Sequence, residues 1–158
     1  MEEQQLRSKA KSAHNTRDTT HRDRERMSSP LVTGGCFALK SKINGKYLHY
    51  SPEKEKILEV SGEDVLSPYT RFRAELSREH DGHVHIRCCY NNKYWVAEKR
   101  HGDEWWIAGS ADKPEEDLSE LSCTLFQLKP VKEDPKTIRL FPFSNKITLC
   151  QHYWLLNL

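Results

Sequence analysis

The side chains able to do chemistry crowd into one stretch, from His83 to Ala108. It holds three of the four tryptophans (Trp95, Trp105 and Trp106), the adjacent Cys88 and Cys89, and the histidines His83, His85 and His101. His83 and His85 alternate on one face of a strand, as metal ligands would. No Cys or His pair elsewhere has the spacing to complete a four-ligand structural site, so the simpler reading is polar residues facing outward, with no metal. Cys88 and Cys89, being neighbours, point to opposite faces. One of them must enter the core as a small inert hydrophobe. No nucleophile elbow, phosphate loop, His-Glu-x-x-His or dinucleotide fingerprint occurs. No catalytic residue and no cofactor are therefore expected. Trp105 is different. An outward indole beside His101, Asp103 and Glu104 has the composition of a sugar contact. The C–H face of a pyranose stacks on an aromatic ring, and carboxylates accept its hydroxyl hydrogens. The alternative is that Trp105 covers a rim or an interface between copies.

The elements that must position these groups are short strands and hairpin turns. Cys36 to Ser41 alternates as a strand, Asn44-Gly45 is a turn, and Lys46 to Tyr50 returns. Lys56 to Val60 and Arg71 to Leu76 read as two more strands. After the Asp81-Gly82 turn the pattern repeats. Leu39-Lys40 aligns with Ile86-Arg87, and Asn44 to Leu48 with Asn91 to Trp95, at an offset of 47. At an offset of 48, Leu58 meets Trp106 and Ile57 meets Trp105. That alignment predicts Trp95 and Trp106 in the core and Trp105 outside. Phe72 meets Phe126 after an acidic insertion, Asp112 to Leu121, expected on the surface. A third copy opens at Ile138-Arg139 and then fades. Three such units of 40 to 50 residues predict an all-β fold, a β-trefoil: a pseudo-threefold barrel capped by hairpins. The third repeat looks incomplete, lacking about two strands, which would leave sheet edges exposed.

Composition bounds the rest. The 158 residues suffice for one domain, and a formal net charge of +2 gives no electrostatic case for a specific nucleic-acid partner. No run of 18 apolar residues exists, so no membrane insertion is expected. Residues 1–30 are polar and carry seven Lys/Arg against five Asp/Glu. They read as a disordered, solvated tail, although Arg22 to Arg26 also has the look of a weak nuclear or nucleic-acid address. The first residues contain no apolar segment, so no secretory signal is expected. Five cysteines without a CxxC pair favour free thiols and a reducing compartment.

Taken together, Leu39-Lys40-Ser41, Asn44 to Leu48, Asp81 to Ile86, Asn92-Lys93-Tyr94, Trp106 to Ala111, Pro114-Glu115-Glu116 and Cys123 to Phe126 resemble the agglutinin domain of amaranthin-like plant lectins. The resemblance covers residues 31–141, leaving 142–158 as a divergent end or a truncated third repeat. It implies a β-trefoil without enzymatic activity that resides in the cytoplasm and also the nucleus. It implies glycans or glycoproteins as partners, of the galactose/N-acetylgalactosamine type. The implied sugar contacts fall on Asp103, Glu104, Trp105 and Trp106, with His101 beside them. The type lectin forms its site across a dimer, which makes a second copy of the chain a candidate partner. Two other readings remain: a trefoil that binds proteins instead of sugars, and a degenerate lectin fragment.

Overall fold

A computed structural model describes residues 34–100, 102–143 and 153–157. The tail before residue 34, His101 and residues 144–152 lie outside the described part. Within it the regular secondary structure is all strand, apart from a single 3₁₀ turn, Pro68–Thr70. The first unit contributes β1 (Ala38–Ser41), β2 (Tyr47–Ser51), β3 (Ile57–Gly62) and β4 (Phe72–Leu76). The second contributes β5 (His83–Cys88), β6 (Tyr94–Arg100), β7 (Glu104–Ala111) and β8 (Leu125–Val131). β9 (Asp134–Pro142) and β10 (Tyr153–Asn157) belong to the third.

The ten strands form one sheet in the order β4-β5-β6-β7-β3-β2-β1-β10-β9-β8, and β8 pairs back onto β5. The strands from β5 round to β8 therefore close into a ring of nine, and β4 is attached outside it through β5. Closure pairs both sides of the nine ring strands and leaves β4 as the edge, tied to Phe37 by one bridge at Phe72. The third unit is short, as expected, but β10 covers the edges of β1 and β9 that its shortness would have exposed. β10 runs antiparallel to β1, with Leu39 opposite Leu156, and antiparallel to β9, with Trp154 opposite Ile138. The third unit contributes only two strands among the described residues, and the second of them fills the gap between its own first strand and the first unit.

The repeat read from the sequence is present in the packing. Leu39, Ile86 and Ile138, one from each unit, are all buried. Phe72 and Phe126 are buried at matching places, and Trp95 sits between them edge-on, its ring 4.8 Å from Phe72 and 5.7 Å from Phe126. Leu48, the counterpart of Trp95, is buried as well. The turns match too. Gly45 and Asn92 both take the left-handed conformation, at φ 69° and 59°. Glycine has no side chain to clash there, and asparagine is the residue that best tolerates it.

Candidate functional site

The register of two hairpins decides which aromatic meets solvent. In the first, Leu48 opposes Val60 and Tyr50 opposes Leu58. In the second, Trp95 opposes Gly109 and Ala97 opposes Ile107. Trp95 stands for Leu48 at an offset of 47, so Ile107 stands for Leu58 at an offset of 49. An antiparallel hairpin that lengthens without changing its pairing pattern must grow by two residues, one per side of the turn. The offset of 48 is off by one, and in a strand an error of one residue swaps the faces. Trp106 is thus the counterpart of Ile57, not of Leu58. It is 37% exposed. Trp105 lies on the face of Ala97 and Ile107, which points toward the core, and is half-buried. The expected assignment of the two indoles is reversed.

Trp106 belongs to an open groove of about 330 Å³, lined also by Glu53, Lys54, Glu55, Ile57 and Arg100. The groove exists because β3 pairs with β7, with Ile57 opposite Ala108, which lays the β2–β3 turn alongside the β6–β7 hairpin. Arg100 organises the wall. Its Nη2 donates to Glu98 Oε2 at 2.7 Å and its Nη1 to Glu55 Oε2 at 2.5 Å. The Glu98 bond first, and Glu55 after it, hold the guanidinium above its ordinary pKa. Glu98 also accepts from the Ser110 hydroxyl. Glu98, Arg100, Glu104 and Trp106 share the outer face of the hairpin, since Glu98 opposes Trp106 and Arg100 opposes Glu104. On the other wall, Lys54 Nζ reaches Glu59 at 2.9 and 3.1 Å and holds that carboxyl below its usual range.

The turn that carries Glu55 is strained. Ile57 N donates to Lys54 O at 3.2 Å, and the two central residues, Glu55 and Lys56, have φ of 55° and 66°. These are the torsions of a type I′ turn, normally filled by Asn and Gly. Two side-chain-bearing residues there cost on the order of 1 kcal/mol each. In return the turn aims the Glu55 carboxylate at Arg100.

The groove gathers only part of the expected set. Trp106 lines it. Asp103 and Glu104 lie exposed at the hairpin tip, with Asp103 paired to Lys99. Trp105 is on the opposite face, and His101 lies outside the described residues. Arg100, Glu98 and the Glu53–Ile57 turn were not singled out from sequence. The available signal was the turn at the matching place in the first unit, because adjacent hairpins of a closed barrel bring their turns together.

The histidine pair also differs from expectation. His85 does not face outward: it is buried, with Nδ1 2.8 Å from Thr124 Oγ1 and Nε2 3.1 Å from Glu116 Oε1. Glu116 further accepts from Arg78 N at 3.0 Å, Glu79 N at 2.9 Å and Ser77 Oγ at 3.0 Å. Burial alone would raise its carboxyl, but these four donors outweigh that and bring it down to about 2. The acidic insertion is therefore stapled to the β4–β5 turn through one carboxylate. Of the two neighbouring cysteines, Cys88 is the buried one, and burial pushes its thiol up to about 12.

Comparison with known proteins fits this geometry. The family model described as "Agglutinin domain" matches residues 34–154. No curated protein matches the sequence significantly. Among solved structures, the ricin B-like lectin of Macrolepiota procera in complex with lactose is 14% identical, with a TM-score of 0.52 over 78% of this chain and 85% of that one. The β-trefoil BEL is 12% identical, with a TM-score of 0.55 over 77% and 91%. SeviL bound to asialo-GM1 saccharide is 18% identical, with a TM-score of 0.50 over 78% and 97%. At these identities the likeness speaks for the fold, a β-trefoil. The family match covers most of the chain and runs through the groove and into the closing strand, and the protein belongs to the agglutinin-domain family.

Proposed function

We propose that this agglutinin domain is a non-catalytic lectin that binds a neutral, galactose/N-acetylgalactosamine-type glycan in the groove between the Glu53–Ile57 turn and the β6–β7 hairpin. The observation that carries the reading is Trp106, an exposed indole beside an ordered set of polar groups. Its ring offers a face to the C–H side of a pyranose. Glu53 and Glu55 offer acceptors to the sugar hydroxyls, and Arg100 offers N–H donors held in place by Glu98 and Glu55. Both cations of the groove, Lys54 and Arg100, are already paired with carboxylates. An anionic sugar would have to compete with those pairs, so a neutral one is favoured. Asp103 and Glu104 at the hairpin tip extend the contact to a second residue of a longer glycan.

Support for the sugar class comes from the family, and from the lactose and the asialo-GM1 saccharide held by two similar trefoils. A glycoprotein is the natural partner in a cell, and a second copy of the chain would make the binding bivalent. Cytoplasmic and nuclear residence in a plant cell is the location proposed with this reading, supported by four free cysteines among the described residues.

A glycan array with the full chain, followed by calorimetry with galactose, N-acetylgalactosamine and lactose, tests the proposal. Binding that is lost in Trp106→Ala while the circular-dichroism spectrum is unchanged is the expected result. A folded protein that binds no glycan overturns the lectin reading and leaves a protein-interaction module. Binding unaffected by Trp106→Ala places the site elsewhere.

A further inference from the structure

We propose that Cys36 and Cys89 form a redox site, which closes to an intramolecular disulfide by exchange with a small disulfide of the glutathione type. Their Sγ atoms lie 2.6 Å apart, and both residues are partly accessible. A disulfide bond is about 2.05 Å long, so closure asks for a movement of roughly half an ångström.

The backbone brings the two sulfurs together from independent directions. Phe37 and Phe72 exchange a pair of hydrogen bonds, each at 2.8 Å, which fixes the entry to β1 against the entry to β4. Cys89 N donates to Arg71 O at 3.0 Å, fixing the end of β5 to the same point. The Arg71 side chain then donates from Nη2 to Cys36 O at 2.9 Å. Arg71 thus binds the backbone of Cys89 with its carbonyl and that of Cys36 with its guanidinium. Cys88 cannot substitute for its neighbour: it is 1% exposed, faces the core and sits against Gly109.

The reactive atom is Cys36 Sγ. Arg73 Nη2 stands 4.0 Å from it in an exposed setting, so an incoming disulfide meets this sulfur first. Burial and the adjoining thiol push Cys89 up to about 12, so Cys89 keeps its proton until the second step. The Cys36 thiolate attacks one sulfur of glutathione disulfide, and the S–S bond breaks to release one glutathione thiolate. Cys89 then attacks Cys36 Sγ, giving up its proton to that thiolate or to water, and the second glutathione leaves. Two protein thiols are oxidised and one disulfide is reduced to two thiols. The new bond spans 53 positions and ties the start of the first unit to the β5–β6 turn of the second.

The test is incubation of the full chain in glutathione buffers of graded potential, acid quench, alkylation and peptide mapping. Expected are the loss of two of the five thiols, a Cys36–Cys89 cross-linked peptide, and a melting temperature about 10 °C above that of the reduced chain. Cys36→Ala and Cys89→Ala, each removing one small half-exposed side chain, should both abolish the cross-link and remain folded. Retention of all five thiols, a stable glutathione adduct on the wild type, or a cross-link through Cys88, Cys123 or Cys150 would each overturn the proposal.

Discussion

Trp106 stands directly opposite Glu98 across β6 and β7. That pairing puts the indole on the same outer face as the carboxylate that anchors Arg100, and so beside the groove. Trp105, its neighbour in sequence, opposes Lys99 and shares the inward face with Ala97 and Ile107. The two tryptophans therefore differ in what they contribute, one to binding and the other to the rim of the core.

The first prediction separates them. Trp106→Ala should weaken glycan binding by about tenfold or more, since an aromatic stacking contact contributes on the order of 1 kcal/mol beyond buried area, and should leave the melting temperature nearly unchanged. Trp105→Ala should lower stability by roughly 2 kcal/mol, less than a fully buried tryptophan would cost, with a smaller effect on affinity. Calorimetry and thermal melts on the same preparations check both. The opposite pattern would mean that Trp105 is the platform.

What the sequence made legible follows from period-2 alternation and turn chemistry. Leu39, Ile86 and Ile138 announced the threefold, and Asn44-Gly45 with Asn91-Asn92 marked equivalent turns; all three apolar residues are in the core. The failure at Trp105 and Trp106 has one cause. The second hairpin carries two residues more than the first, and an alignment without pairing information placed the gap as one. Arg100 escaped notice for another reason. Its role comes from Glu55, which lies 45 residues away and meets it only when β3 pairs with β7. The closing role of β10 was hidden likewise: nothing local in Tyr153 to Asn157 says that its partners are β1 and β9.

Gly109 takes the place that Val60 holds in the first unit, and the reason is space. A Cβ there would lie 2.7 Å from Cys88 Sγ and 3.1 Å from the Tyr50 ring. Both neighbours are buried and have nowhere to retreat. Gly109→Ala should therefore destabilise the fold by about 1–3 kcal/mol, the usual cost of overpacking. A urea melt would show it as a lower midpoint at constant slope. A neutral outcome would mean that the seam between β7 and the Tyr50–Cys88 pair is looser than these distances imply.

The strained turn gives a stabilising prediction. Lys56 has φ of 66°, a conformation that glycine adopts without penalty. Lys56→Gly should gain up to about 1 kcal/mol without altering glycan affinity, because its backbone carbonyl, which accepts from Gly109 N, is retained. Glu55→Gly relieves similar strain at φ 55° but removes the carboxylate bound to Arg100. It should weaken binding even if the fold becomes more stable. Comparing the two variants by thermal melt and calorimetry separates strain from the function it supports. Equal loss of affinity in both would show that the turn shape, not the Glu55 carboxylate, matters for the groove.

Glu116 is the carboxyl held lowest by its neighbours and should contribute most to acid sensitivity. Its carboxyl titrates at about 2 in the folded chain against an ordinary 4.5, because four donors bind the ionised form. A group depressed in the folded state stabilises the fold above its unfolded value, and that contribution disappears as pH falls from about 4.5 toward 2. Protonation weakens the bonds from Ser77, Arg78, Glu79 and His85 to this carboxyl together. Glu116→Gln keeps the shape and removes the charge. It should cost roughly 2–3 kcal/mol at neutral pH. It should also flatten the stability curve between pH 5 and 3, where the wild type declines. Urea melts at half-unit pH steps check this. Parallel curves for the two proteins would show that other carboxylates, and not Glu116, govern acid unfolding.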